Sequence, residues 1–155
     1  MGRKILVAID DGEESSRALS WCLQTLLLNR DDTLFLLHAK TPLPVYSALD
    51  SAAGYLFSSS IITSMERYAK EVAEKVLEKA STLCTDFNSE LKVEKMVENG
   101  DPRDVICEVA ARLKVDLVVV GSHGYGPIKR AFLGSVSSQC AQTLKCPILI
   151  VKNPN

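Results

Sequence analysis

Apolar positions along this chain change period from one segment to the next, and each change marks an element. Residues about 3–10 are a nearly continuous apolar run, Ile5-Leu6-Val7-Ala8-Ile9, ending in Asp10, as a strand buried on both faces should be. Ala18, Leu19, Cys22, Leu23 and Leu26 then repeat at helical spacing, with Ser15 or Ser16 as candidate caps. After the polar turn Asn29-Arg30-Asp31-Asp32, Thr33 to Ala39 forms a second strand. Residues 41–61, with Pro42, Pro44, Gly54 and Ser58 to Ser60, follow neither period and are expected to be a mobile connection with room for a short helix. From about Ile62 to Thr85, Met65, Tyr68, Val72, Val76, Ala80 and Leu83 with their neighbours trace one face of a long helix.

Leu91 to Val97 alternates as a strand. Asp101-Pro102 then opens a helix, with Asp as N-cap and Pro where its missing N–H does no harm, and Val105, Ile106, Val109, Ala110 and Leu113 form its buried face. Val115 to Val120 is a strand buried on both faces, Gly134-Ser135 opens a helix carrying Val136, Cys140 and Leu144, and Pro147 to Val151 is a last short apolar strand. Five strands alternating with four helices require right-handed parallel crossovers, which gives an α/β three-layer sandwich.

With 155 residues, 46% hydrophobic and 24% charged, the chain fits one domain over 1–155 that buries roughly 70% of its unfolded surface. A formal net charge of −1 and a pI near 6.1 supply no field for nucleic acid or an anionic membrane, so neither partner is expected. No long apolar span is present. Met1-Gly2-Arg3-Lys4 runs directly into a strand, and Leu6 stands where a myristoylation motif wants Ser or Thr, so the expected location is cytoplasmic. Cys22, Cys84, Cys107, Cys140 and Cys146 form no C-x-x-C pair and are expected to be reduced core thiols. His38 and His123 lack companion ligands for structural zinc, and His38 is expected to be a satisfied core histidine.

The candidate chemistry lies where the strand ending at Val120 meets Gly121-Ser122-His123-Gly124 and, further on, Gly134-Ser135. Glycine at the strand exit permits positive φ and close approach of N–H groups to a ligand, and a helix N-terminus aimed at the same place makes an anion site. The phosphates of a ligand are expected on the N–H groups of Gly124, Tyr125, Gly126, Ser135, Val136 and Ser137, with the Ser135 and Ser137 hydroxyls as further donors. Asp10, at a strand end, either meets a ribose hydroxyl or a metal-bound water, or caps the turn with Asp11 and Gly12. His123 either touches the phosphates or is a solvated spacer. The chain has no G-x-x-x-x-G-K-[ST] loop, no G-x-G-x-x-G after its first strand and no G-x-S-x-G elbow, which disfavours P-loop catalysis, nicotinamide chemistry and serine hydrolysis.

The spacing G-x2-G-x9-G-S on the last βαβ unit resembles the ATP-binding subclass of the universal stress protein family. The opening Ile5-Leu6-Val7-Ala8-Ile9-Asp10, Gly100-Asp101-Pro102 and the closing Cys146-Pro147-Ile148-Leu149-Ile150-Val151 carry the same resemblance across the chain. It implies strand order 3-2-1-4-5, the adenine nucleotide alpha hydrolase-like arrangement, and ATP or AMP held with Mg2+ or Mn2+ bridging the phosphates. It further implies that the backbone of Ala8 and Ala39 receives the adenine and ribose region, that Gly121, Ser122 and Gly134 frame the phosphate loop, and that a homodimer forms through strand 147–151. The function so implied is a stress-response regulatory module that binds nucleotide without efficient turnover. A slow ATPase or phosphotransfer enzyme and a protein-interaction domain without nucleotide are the alternatives, and the signalling partner is not legible.

Overall fold

The computed structural model describes residues 2–26, 28–40, 51–122 and 134–152, with residues 51–59 described as backbone only. Its elements are β1 (Lys4–Ala8), α1 (Glu13–Thr25), β2 (Thr33–Lys40), α2 (Ser51–Phe87), β3 (Lys92–Asn99), α3 (Pro102–Leu113), β4 (Leu117–Gly121), α4 (Ser135–Thr143) and β5 (Ile148–Val151). All strand pairs are parallel, and the five-stranded sheet runs β3-β2-β1-β4-β5. This is the expected architecture and order.

Alternation along the central strands sorts their side chains into two cores. Ile5, Val7 and Ile9 of β1 and its exit join Leu34 and Leu36 of β2 under α1 and α2, through Leu19, Cys22, Leu77 and Cys84. Leu6, Ala8, Phe35 and Leu37 point the other way and meet Val105, Ile106 and Val109 of α3 and Val136 and Cys140 of α4. Leu6, Leu19, Leu36, Leu37 and Ile106 are completely buried, and each such side chain contributes about 1.5–3 kcal/mol relative to exposure. All five cysteines are free thiols; Cys22, Cys84 and Cys140 are buried and Cys107 and Cys146 half-buried. Among the described residues no helix is long and apolar enough to cross a membrane.

Connections between β1, β2 and β3 carry α1 and α2 on one face, and those joining β3, β4 and β5 carry α3 and α4 on the other. The hand of progress therefore changes between adjacent β1 and β4, and a crevice opens at their carboxyl ends. Asp101 caps α3 as its sequence predicts, its carboxylate accepting from the Arg103 N–H at 2.9 Å.

Three local expectations are corrected. α2 begins at Ser51, so the second half of the expected connection is helical, while residues 41–50 lie outside the described residues. One glycine in that stretch costs about 1 kcal/mol, and helix propagates readily from the periodic segment that follows. α1 is capped by Gly12 and not by Ser15 or Ser16; Ser15 sits buried in the first turn, its hydroxyl turned toward Asp10. Gly121 pairs with Val151 in the sheet and does not have positive φ; among the described residues only Gly100 and Lys114 do. Gly121 is needed for another reason, since a Cβ there would come 3.0 Å from the Glu14 carbonyl oxygen where α1 crosses the strand exit.

Candidate nucleotide cleft at the strand carboxyl ends

The ends of β1 and β4 and the start of α4 bring Asp10, Gly121, Ser122 and Gly134 to Ser137 into one region. Asp10 follows β1 and is only 6% exposed. Its Oδ1 accepts from the Gly12 N–H at 2.8 Å and the Ser15 hydroxyl at 2.9 Å, and its own N–H donates to Ser15 Oγ at 3.1 Å. The turn-capping reading is thus realised on one oxygen. Oδ2 is buried and has no hydrogen-bond partner among the described residues. Burial raises the pKa of this carboxyl above the ordinary aspartate value, against the Gly12 N–H and Ser15 hydroxyl, which hold it down. An unpartnered carboxylate oxygen is expensive to bury, so a ligand donor at Oδ2 would recover free energy there.

His38, one strand over, places Nδ1 2.8 Å from the Ile9 carbonyl oxygen and is buried, a satisfied core histidine. Ala8 and Ala39, each 3% exposed, stand at the ends of β1 and β2 with their methyl groups in the α3/α4 core.

Across the crevice, the Ser122 carbonyl acts as a clasp. It accepts the Gly134 N–H at 2.6 Å and the Ser137 hydroxyl at 3.1 Å, while the Ser122 N–H donates to the Val151 carbonyl at 3.1 Å. The exit of β4 is thereby tied to both the start of α4 and the end of β5. Gly134 caps α4 without a side chain, and the first intrahelical bond is donated by Ser138 to Gly134 at 3.0 Å. The N–H groups of Ser135, Val136 and Ser137 precede that bond, so the helix presents them at its start. The Ser137 hydroxyl is 1% exposed and committed to the Ser122 and Gly134 carbonyls, so its expected donation to phosphate gives way to a structural role. Ser135 is exposed at the same terminus. His123, Gly124, Tyr125 and Gly126, with Lys129 and Arg130, lie outside the described residues.

Sequence reasoning missed Ser15 as the partner of Asp10; five residues separate them, and the only available signal was a small polar residue where a helix would place apolar surface. It also missed the Ser122 clasp, which joins residues distant in the chain. Among the described residues, no group of three or more His, Cys, Asp or Glu could hold a metal ion by itself.

A model of the Universal stress protein family matches residues 1–152. Universal stress protein YxiE of Bacillus subtilis is 31% identical over 152 residues, which cover 98% of this chain and 100% of that protein. The solved structure of protein MJ0577, from Methanocaldococcus jannaschii, matches with TM-score 0.78 at 24% identity over 100% of this chain and 99% of that one. A universal stress protein solved in complex with cAMP matches with TM-score 0.67 at 25% identity over 96% of each chain. An Arabidopsis thaliana family protein solved with AMP bound matches with TM-score 0.65 at 23% identity, covering 97% of this chain and 92% of that one. By its sheet order, its crevice and the reach of the family match, this chain belongs to the Universal stress protein family.

Proposed function

We propose that the protein binds an adenine nucleotide, ATP or AMP, in the crevice between β1 and β4 and acts as a regulatory module. The observation that carries this reading is the buried Oδ2 of Asp10, unpartnered among the described residues, at the end of β1 beside β4, whose exit is tied to an α4 terminus capped by glycine alone. A nucleotide offers complementary groups to both: ribose hydroxyls donate to a carboxylate, and phosphate oxygens accept from helix N–H groups. Relatives solved with cAMP and with AMP support the same ligand class. Among the described residues, Asp10 would meet a phosphate-bound divalent cation, Mg2+ or Mn2+, through a water, and such a cation would neutralise phosphate charge.

Backbone amides and a helix dipole stabilise ground-state and transition-state phosphate nearly alike, so this site favours retention over turnover. A homodimer through Ile148–Val151, the uncharged edge strand, and a cytosolic place of action complete the reading. Calorimetric titration with ATP and AMP tests it, comparing the wild type with Gly124→Val. Binding in the wild type and its loss in the variant, with the melting profile retained, is expected. No binding to either nucleotide, or equal affinities in both proteins, overturns it.

A further inference from the structure

Three asparagines stand among the described residues, and their surroundings differ. Asn29 Oδ1 accepts the Asp31 N–H at 2.9 Å and Asn88 Oδ1 accepts the Glu90 N–H at 3.0 Å, so each amide is held in a turn. Arg30 and Ser89 follow them, and their side chains crowd the next backbone nitrogen. Asn99 closes β3 with its side chain exposed, and Gly100 follows it. No side chain on Gly100 shields its nitrogen from the Asn99 amide carbon. The chain has to keep glycine there, because Gly100 has a φ of +143° and a Cβ would come 2.8 Å from Val105 Cγ2.

Pairing in the sheet holds the two reacting atoms apart. Asn99 lies opposite Lys40 at the last position of the β2–β3 ladder, and the Gly100 N–H donates to the Lys40 carbonyl at 2.9 Å. Extended backbone turns the Gly100 nitrogen away from the Asn99 side chain, and a nitrogen that gives its hydrogen to a carbonyl is a poor nucleophile. β3 is an edge strand that pairs only with β2 in this sheet, and such ladder ends open at low cost.

We propose that Asn99 is a self-modification site, gated by the end of the β2–β3 ladder, at which the chain converts asparagine to aspartate or isoaspartate. Once the Gly100 N–H is released from Lys40 and gives its proton to hydroxide, the nitrogen attacks Asn99 Cγ. A carbon–nitrogen bond closes a five-membered imide, and the side-chain nitrogen leaves as ammonia. Water then opens the ring at either carbonyl: one opening leaves aspartate, and the other routes the main chain through Cγ as isoaspartate, one backbone carbon longer. An amide and a water become a carboxylic acid and ammonia, with no change of oxidation state. The longer backbone breaks the register that joins Gly100 to Lys40 and sets Asp101 as the cap of α3. The converted fraction therefore records how long the ladder end has stood open. This inference does not rest on nucleotide binding.

Peptide mass spectrometry of the full chain, kept in mildly alkaline buffer with and without guanidinium chloride, decides the matter. In denaturant, Asn99 should convert faster than Asn29 or Asn88, with the mass gain of an amide turned to an acid and separate aspartate and isoaspartate peaks. In the native protein, conversion at Asn99 should be slower by about tenfold or more, the protection of a ladder end closed most of the time. Asp101→Ala, which loosens the start of α3 beside Gly100, should raise the native rate several-fold and leave the denatured rate alone. Asp32→Ala, at the far end of β2 and shown to be folded by its melting profile, should leave the native rate unchanged. Asn99→Gln, which would have to close a six-membered ring, should lose the signal. Equal native and denatured rates, an Asn99 no faster than Asn88 in denaturant, or a native rate raised by Asp32→Ala as much as by Asp101→Ala overturns the proposal.

Discussion

Two buried aspartates stand at opposite ends of the sheet and have opposite surroundings. Asp32, just before β2, is 3% exposed and accepts four hydrogen bonds: from the Arg3 N–H at 2.8 Å, Arg3 Nε at 3.2 Å, an Arg3 terminal nitrogen at 2.7 Å and the Asn29 N–H at 3.0 Å. The Arg3 guanidinium, with these N–H groups, holds its carboxyl down at about 2 despite burial. Asp10, just after β1, is almost as deeply buried but among the described residues has donors on one oxygen only, and burial pushes its carboxyl up. The amino-terminal end of the sheet is thus a finished structural joint. The carboxyl-terminal end holds a carboxylate with one buried oxygen that no described residue meets, where we propose that the ligand binds. Buried charge by itself does not mark a functional site; a buried carboxylate oxygen without a partner makes the stronger candidate.

Removing the satisfied carboxylate is the largest way to break this comparison. Asp32→Ala leaves the Arg3 and Asn29 donors without their acceptor and is expected to lower unfolding free energy by about 3 kcal/mol, read by urea denaturation. A loss under about 0.5 kcal/mol, the level of ordinary surface substitutions, would remove the joint from the account.

Asp10→Asn keeps Oδ1 as acceptor for Gly12 and Ser15 but removes the charge. AMP affinity should fall about tenfold, or 1.4 kcal/mol, with stability unchanged or raised. A stability loss like that of Asp32→Ala, with binding intact, would make the two aspartates equivalent.

Acid sharpens the contrast because folding shifts the two carboxyls in opposite directions. The contribution of Asp32 is complete above its unfolded value near 4 and is lost as pH falls toward about 2. Arg3 is 44% exposed, so solvent screening reduces this contribution to on the order of 1 kcal/mol. Asp10, raised on folding, contributes stability below pH 4 that is lost as pH rises through its folded value. Asp32→Asn should flatten the acid limb of a stability-against-pH curve, and Asp10→Asn should steepen it. The same slope in both variants contradicts the assignment.

Asp101 supplies the smallest test. It lies at the same end of the sheet as Asp10, but Arg103 meets it through its N–H at 2.9 Å and through Nε at 3.0 Å, and its carboxyl is held at about 2. Asp101→Ala should cost roughly 0.5–1 kcal/mol as a lost cap and leave nucleotide titrations unchanged. A binding defect would show that position along the sheet, and not satisfaction, decides function.

The sheet was legible because its central strands are apolar on both faces and its helices keep one period; Leu34 to Leu37 and Val105 to Ala110 leave little choice. Strand order came from resemblance, since no local pattern states which strands are neighbours. The start of α2 was obscured by Gly54 and three serines, weak breakers overridden by cooperativity from the helix after them. At the site, the position of Asp10 at a strand end was readable, but its half-satisfied state was not. That depends on the Ser15 hydroxyl turning inward and on which oxygen it meets. Gly121 was legible as an obligatory glycine, though the reason is contact with the Glu14 carbonyl and not left-handed backbone.

The cysteines buried in the two cores have a consequence for reactivity. Burial pushes the thiols of Cys22 and Cys140 up to about 12 and that of Cys84 up to about 11. Peroxides and disulfides react with the thiolate, and at neutral pH only about one in ten thousand of the Cys84 thiols, and fewer of the other two, is ionised. Burial and a raised thiol pKa therefore make these three sulfurs slower to react with oxidants than ordinary exposed thiols, for as long as the protein stays folded.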